Sequence, residues 1–173
     1  KSNSLVPPTV TATFTSSICD GSVTDIVLNS DTPNTTYTWA ATTNNISNSF
    51  LPFGNETNIN QTVNLANSQL NGNIILSITP RANGEDGNPI NIMITVNPIP
   101  VAIPSPNLSI CSNEFADLYL ASTLSGTYFT WTSTSTNLTG ASSGTGLSIN
   151  DFLSLIDNTV YGHVVYIVTP VRG

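Results

Sequence analysis

Apolar and small polar residues alternate along most of this chain. Val10, Ala12 and Phe14 are interleaved with threonines; Ile26 and Leu28, Tyr37 and Trp39, and Ile59, Val63 and Leu65 follow. Ile74, Leu76 and Ile78 come next, and Ile90, Ile92, Ile94 and Val96 close the series. A period of two puts every second side chain on one face, so each run predicts a half-buried β-strand. Between the runs lie Asn29-Ser30-Asp31-Thr32-Pro33-Asn34, Asn71-Gly72-Asn73 and Asn83-Gly84-Glu85-Asp86-Gly87-Asn88. These are turn sequences, because Asn and Gly tolerate positive φ and Pro presets a bend. One segment stays open: Asp151-Phe152-Leu153-Ser154-Leu155-Ile156 reads as a strand or as a helix, with Ser148 and Asp151 as a capping box.

The pattern occurs twice. Ile18-Cys19 returns as Ile110-Cys111, and Tyr37-Thr38-Trp39 as Phe129-Thr130-Trp131, both displaced by 92 residues (19 to 111, 39 to 131). Ile46-Ser47 returns as Leu138-Thr139 at the same displacement. Farther on, Ile59-Asn60 matches Ile149-Asn150 and Ile78-Thr79-Pro80 matches Val168-Thr169-Pro170, displaced by 90 (59 to 149, 78 to 168). One register with a two-residue deletion aligns the halves, and it pairs the only two Trp and the only two Cys. Such self-similarity is the mark of a repeated module. About seven short strands per copy, with a Trp on the third, is the pattern of an immunoglobulin-like β-sandwich. The chain is therefore expected to be all-β, with two tandem sandwiches at residues 1–98 and 99–173. The connector between them is rich in proline (Pro98, Pro100, Pro104, Pro106), which stiffens it. The second copy stops after Thr169-Pro170 and is expected to lack the counterpart of the last strand of the first, residues 89–96.

Charge narrows the function. Charged residues make up 8% of the 173, the net charge is −7, and Lys1, Arg81 and Arg172 are the only basic residues. Nucleic-acid binding needs clustered Lys and Arg to displace phosphate counterions, and an anionic membrane surface asks for the same. Both are excluded as partners. No apolar run approaches the roughly 20 residues that cross a bilayer as a helix, so membrane insertion is not expected. The opening Lys1-Ser2-Asn3-Ser4-Leu5-Val6-Pro7-Pro8 lacks the apolar core of a signal peptide, so export of the protein would imply a piece cut from a longer precursor.

Candidate chemistry is sparse. His163 is the only histidine and falls out of phase with the core, opposite Asn73 in the alignment, with no second ligand or base identifiable. Glu85 and Asp86, with Asp20, Asp25 and Asp31 more loosely, could interest calcium, but one acidic pair falls short of the 6–8 oxygens that calcium takes. A hairpin turn accounts for Glu85 and Asp86 better. Trp39 and Trp131 read as core anchors in preference to sugar platforms. Asn34, Asn45, Asn55, Asn60, Asn107 and Asn137 open Asn-X-Ser/Thr triplets, which in so Asn-, Ser- and Thr-rich a chain are expected to be silent. No catalytic, cofactor-binding or metal-binding residue is assigned, no cofactor is expected, and the chain is not expected to be an enzyme.

Ile18-Cys19-Asp20-Gly21-Ser22, Thr36-Tyr37-Thr38-Trp39, Ile78-Thr79-Pro80 and Thr95-Val96-Asn97-Pro98-Ile99-Pro100 resemble the PKD-like repeats of Bacteroidetes surface proteins. The Trp-Asp-Phe-Gly-Asp-Gly signature of true PKD domains is absent, so the resemblance is to a related sandwich. It implies an extracellular, cell-surface location and a structural role in a long adhesin, including the gliding adhesins exported by the type IX system. Neighbouring repeats of the same array would be the first partners, with surface polysaccharide or strand exchange with another copy as alternatives. A spacer or carbohydrate module of a secreted enzyme, or a strand-exchanging filament subunit, is the rival reading. Repeats of this type often carry a second cysteine in the last hairpin, able to bridge to the early one. Here that hairpin reads Gly84-Glu85-Asp86-Gly87, which leaves Cys19 without such a partner. Cys19 and Cys111 sit about one domain apart, too far for a bridge within a chain.

Overall fold

Strands are the only regular elements among residues 6–172, which are those the computed structural model describes. Residues 1–5, which open the stretch read for a signal peptide, lie outside the described residues. The chain divides into two units, Lys1–Ile99 and Pro100–Gly173.

In the first unit the strands are β1 (Thr11–Thr13), β2 (Ser17–Cys19), β3 (Ile26–Asn29), β4 (Thr36–Asn44), β5 (Phe53–Gly54), β6 (Asn58–Ile59), β7 (Gly72–Ala82), β8 (Glu85–Asp86) and β9 (Ile90–Asn97). They form two sheets, β1-β3-β6 and β2-β9-β7-β4-β5, with β8 hairpinned onto β7. The alternating residues do what their period demands. Ile26, Leu28 and Ile59 from one sheet meet Tyr37, Trp39, Ile74, Leu76, Ile78, Ile94 and Val96 from the other, all buried. The β7–β8 hairpin turns on Asn83 (φ 53°) and Gly84 (φ 85°), the two positive dihedrals of a type I′ turn. Strand β9 uses both its edges: it runs antiparallel to β7 (Ile94 opposite Ile74, Ile92 opposite Leu76) and parallel to β2 (Ile18 opposite Val96).

The second unit holds β10 (Ala102–Ile103), β11 (Glu114–Tyr119), β12 (Ala121–Ser122), β13 (Tyr128–Thr136), β14 (Leu138–Thr139), β15 (Gly144–Gly146), β16 (Ser148–Leu155) and β17 (His163–Val171). Its sheets are β11-β16-β14 and β15-β13-β17, with a small β10-β12 pair. The β13–β17 ladder sets Trp131 opposite Val168, as β4–β7 sets Trp39 opposite Ile78. The segment that admitted a helix is strand β16. Its Ile149 and Leu153 are buried at alternate positions, and Asp151, instead of capping a helix, accepts hydrogen bonds from Ser142 and Tyr166.

Among the described residues the second unit has no counterpart of β9, and β17 is paired along one edge only, by β13. The effect reaches a second strand. Ser109, Ile110 and Cys111 repeat Ser17, Ile18 and Cys19 letter for letter, yet the first triplet is strand β2 and the second is irregular. The difference is tertiary. β2 exists because β9 supplies its ladder partners, and without that edge the same three residues have nothing to bond.

Candidate functional site

The two units share a set of packing devices that hold equivalent loops in place. Trp39 on β4 pairs with Gly54 on β5, and Trp131 on β13 pairs with Gly144 on β15. Each glycine leaves room for the indole: a Cβ on Gly54 would lie 2.7 Å from Trp39 Cε2, and one on Gly144 would lie 2.8 Å from Trp131 Cζ2. Trp131 Nε1 donates to the Ser142 carbonyl at 3.2 Å, whereas Trp39 Nε1 is buried with no partner among the described residues.

Two asparagines do equivalent work immediately after β4 and β13. Asn45 (φ 53°) accepts from the Asn67 amide at 2.8 Å and donates to the carbonyls of Asn67 at 3.1 Å and Leu70 at 2.8 Å. Asn137 (φ 54°) accepts from the Asp157 amide at 2.9 Å and donates to the carbonyls of Asp157 at 2.9 Å and Val160 at 2.8 Å. The Asn side chain carries donor and acceptor together and tolerates positive φ, so one residue satisfies a loop twenty positions away. In the sequence both show only as the first letters of Asn-X-Ser/Thr triplets. Of the others, Asn34 sits in a turn at φ 61°, and Asn55, Asn60 and Asn107 are exposed.

The remaining candidates are dispersed. His163 opens β17, exposed and opposite Thr136. Glu85 and Asp86 form β8, and Asp86 receives Arg81 Nη1 at 2.6 Å, so the acidic hairpin is closed by an exposed ion pair. Asp20 accepts the Leu65 amide at 2.8 Å. Asp31 accepts from Thr9 Oγ1 at 2.8 Å, a bond that holds its carboxyl below the ordinary value. Asp25 sits at φ 44° beside the start of β3. Among the described residues no three His, Cys, Asp or Glu side chains gather in a group that could hold a metal ion. Cys19 and Cys111 are free and exposed.

One polar contact spans the second sandwich. The Tyr166 hydroxyl on β17 donates to Asp151 Oδ2 at 2.6 Å, and the Ser142 hydroxyl and amide donate to the same carboxylate at 2.7 and 2.8 Å. Burial works against ionisation of Asp151, but the bonds from Ser142 and Tyr166 prevail and its pKa lies below the ordinary value. Burial first, and then the bond and charge of Asp151, push the Tyr166 phenol well above its usual range.

The outward face of β11–β16 carries aromatics that alternation alone does not separate from core. Phe115 pairs across the strands with Phe152, ring centroids 5.1 Å apart and 65° between planes, and both are exposed. The same register sets Asp117 opposite Asn150 and Tyr119 opposite Ser148, with Tyr119 83% exposed. Phe115, Asp117 and Tyr119 share one face, because a strand repeats every two residues. At the equivalent places, 92 residues earlier, the first unit has Val23, Asp25 and Val27.

No curated protein matches the chain. The description "PKD-like domain" matches it twice, over residues 16–100 and residues 108–173, one match for each sandwich. The two matches cover most of the sequence and follow its internal repeat, and the chain belongs to the PKD-like domain family.

Proposed function

We propose that this chain is a structural repeat unit of a large bacterial cell-surface adhesin, one that projects a distal binding region from the cell. PKD-like domains are Ig-like modules and generally non-catalytic. The observation that carries the reading is the duplication itself: the same module, with the same Trp–Gly packing and the same asparagine latch, occurs twice in succession. Successive copies of one folded module extend a chain without requiring any new chemistry. The low charge supports this role, since few Lys and Arg offer few non-specific contacts along a stalk. The assignment extends to an outer-membrane-associated, extracellular location, to Bacteroidetes as the source, and to type IX export with a role in gliding. The test is immunogold labelling of intact cells with antibody against this chain, together with attachment of a strain lacking the parent gene. Surface label and lost attachment are expected. Label confined to the cell interior, or a parent chain built around a catalytic domain, would overturn the proposal.

The exposed face of β11–β16 favours a second reading, a carbohydrate-binding module. Phe115, Phe152 and Tyr119 flank the Asp117–Asn150 pair, which combines apolar faces for sugar rings with groups that bond hydroxyls. Screening against polysaccharides with Tyr119→Ala and Phe152→Ala as controls decides it. Binding that both substitutions abolish supports this reading.

A further inference from the structure

The outward face of β11–β16 is built as three rungs. Phe115 and Phe152 form the first, Asp117 and Asn150 the second, Tyr119 and Ser148 the third. All six residues are exposed. Between the second and third rungs lies a depression of about 30 Å³ bounded by Asp117, Tyr119, Ser148 and Asn150, room for one hydroxyl or one water. Successive rungs are two residues apart, so the aromatic ends of the face stand about 13 Å from one another. That is longer than one sugar ring can cover. Resting on the carbohydrate reading of this face, we infer that it binds a neutral polysaccharide of β-linked pyranose units, laid along β11 and spanning more than one unit.

Each property of the ligand follows from a part of the face. An aromatic ring presents a negative face that attracts the C–H bonds on one side of a pyranose, and equatorial substituents leave that side unobstructed. The edge-to-face contact between Phe115 and Phe152 holds both rings in place, so little ordering is required on binding. The middle rung combines a carboxylate with an amide, which accept from and donate to sugar hydroxyls. Neutrality follows from Asp117. Neither His163 nor any of the three basic residues, Lys1, Arg81 and Arg172, lies on β11, β14 or β16. A polymer bearing carboxylates or sulfates would meet a negative charge here and no cation.

A protein partner fits less well. Two strands about 4.8 Å apart present on the order of 200 Å² between Phe115 and Tyr119, whereas a stable protein interface buries about 800 Å² on each partner. A second copy meeting this face on a two-fold axis would also set Asp117 against Asp117 at the centre. The first unit has Val23, Asp25 and Val27 at the equivalent places, with no aromatic among them, so the chain carries one such site and not two.

The experiment titrates the whole chain with neutral β-glucans, xylan and chitin oligosaccharides. The panel includes hydroxyethyl cellulose and carboxymethyl cellulose, which share a β-linked backbone and differ in charge. Calorimetry should give one site per chain, with the neutral derivative bound about tenfold or more tighter at low salt and the gap shrinking as salt screens it. Asp117→Asn should narrow the gap several-fold, roughly what a unit charge a few ångströms away is worth in water. Tyr119→Ala should weaken neutral binding about tenfold. Both side chains point outward, and thermal unfolding checks that the variants stay folded. If no polysaccharide binds, neutral or anionic, the carbohydrate reading and this inference fall together. This inference alone falls if carboxymethyl cellulose binds as tightly as the neutral derivative, if Asp117→Asn leaves the gap unchanged, or if free glucose binds as tightly as the polymer. Self-association of the chain that Tyr119→Ala abolishes would also overturn it, by giving the face to a second copy.

Discussion

Gly54 faces Trp39 across the β4–β5 ladder, and the indole occupies the space that any side chain at residue 54 would need. Gly144 stands to Trp131 in the same way, so the pairing of a large residue with an absent one is a property of the module. Gly54→Ala and Gly144→Ala should each destabilise their own unit by about 1–3 kcal/mol, the usual cost of overpacking a filled core. Urea unfolding followed by Trp fluorescence reads this directly. Gly144→Ala at wild-type stability would show that Trp131 can yield, and that the contact is incidental.

The asparagine latches make a sharper test, because two effects can be separated. Asn137→Ala loses the bonds to Asp157 and Val160 and also places a Cβ-bearing residue without a local hydrogen bond at φ 54°. Asn137→Gly loses the bonds but relieves the dihedral. The glycine variant should be the less damaged, by about 1 kcal/mol or more, with both below wild type. Asn45→Ala and Asn45→Gly should repeat the order in the first unit, as measured by thermal unfolding. If the alanine and glycine variants were equal, the backbone dihedral would contribute nothing.

The alternation of Ile74, Leu76 and Ile78, and of Ile90, Ile92, Ile94 and Val96, was legible because burial of one sheet face imposes a period of two on neighbouring letters. Trp39 and Trp131 were legible as anchors because size and repetition coincide. Gly54, Asn45 and Asn137 were not, since what each does is set by a partner 15 to 25 positions away that leaves no local trace. Phe115 and Phe152 escaped for another reason: an aromatic pair on an outer face obeys the same period as one inside. Ser17-Ile18-Cys19 and Ser109-Ile110-Cys111 mark the limit, because one tripeptide with two fates has no answer in its own letters.

The Asp151–Tyr166 contact makes the second unit sensitive at both ends of the pH scale. Asp151 titrates lower in the folded chain than its ordinary 3.8, so the unfolded chain binds the proton first on acidification. The stability it contributes is complete above that value and is lost as pH falls through the lower, folded pKa. Tyr166 titrates higher than its ordinary 10.0, so its contribution is complete below 10.0 and lost as pH rises toward the folded value. Tyr166→Phe should flatten the alkaline limb and weaken the acid one, leaving the first unit unchanged. Equilibrium unfolding across pH 2.5 to 11, an interval that roughly brackets the ordinary values of both groups, measures the onset of both limbs. Identical pH profiles for the two proteins would remove the contact from the stability of the fold.

The two units should unfold separately, the second first. Ile74, Leu76, Ile78, Ile94 and Val96 are fully buried in the first unit, whereas Val164, Tyr166 and Val168 in the second are partly open and have no strand above them among the described residues. Each aliphatic side chain taken wholly out of water contributes about 1.5–3 kcal/mol, so the shortfall decides the order. The sequence supplies a reporter for each unit, since Trp39 and Trp131 are its only tryptophans. In Trp39→Phe the remaining indole lies in an unaltered second unit, and in Trp131→Phe it lies in an unaltered first unit. Neither substitution therefore touches the unit being read. Urea titration should show the Trp131 signal changing at clearly lower concentration than the Trp39 signal. Coincident transitions would mean that the units fold as one cooperative body, and a reversed order would mean that the partial exposure of Val164, Tyr166 and Val168 costs the second unit nothing.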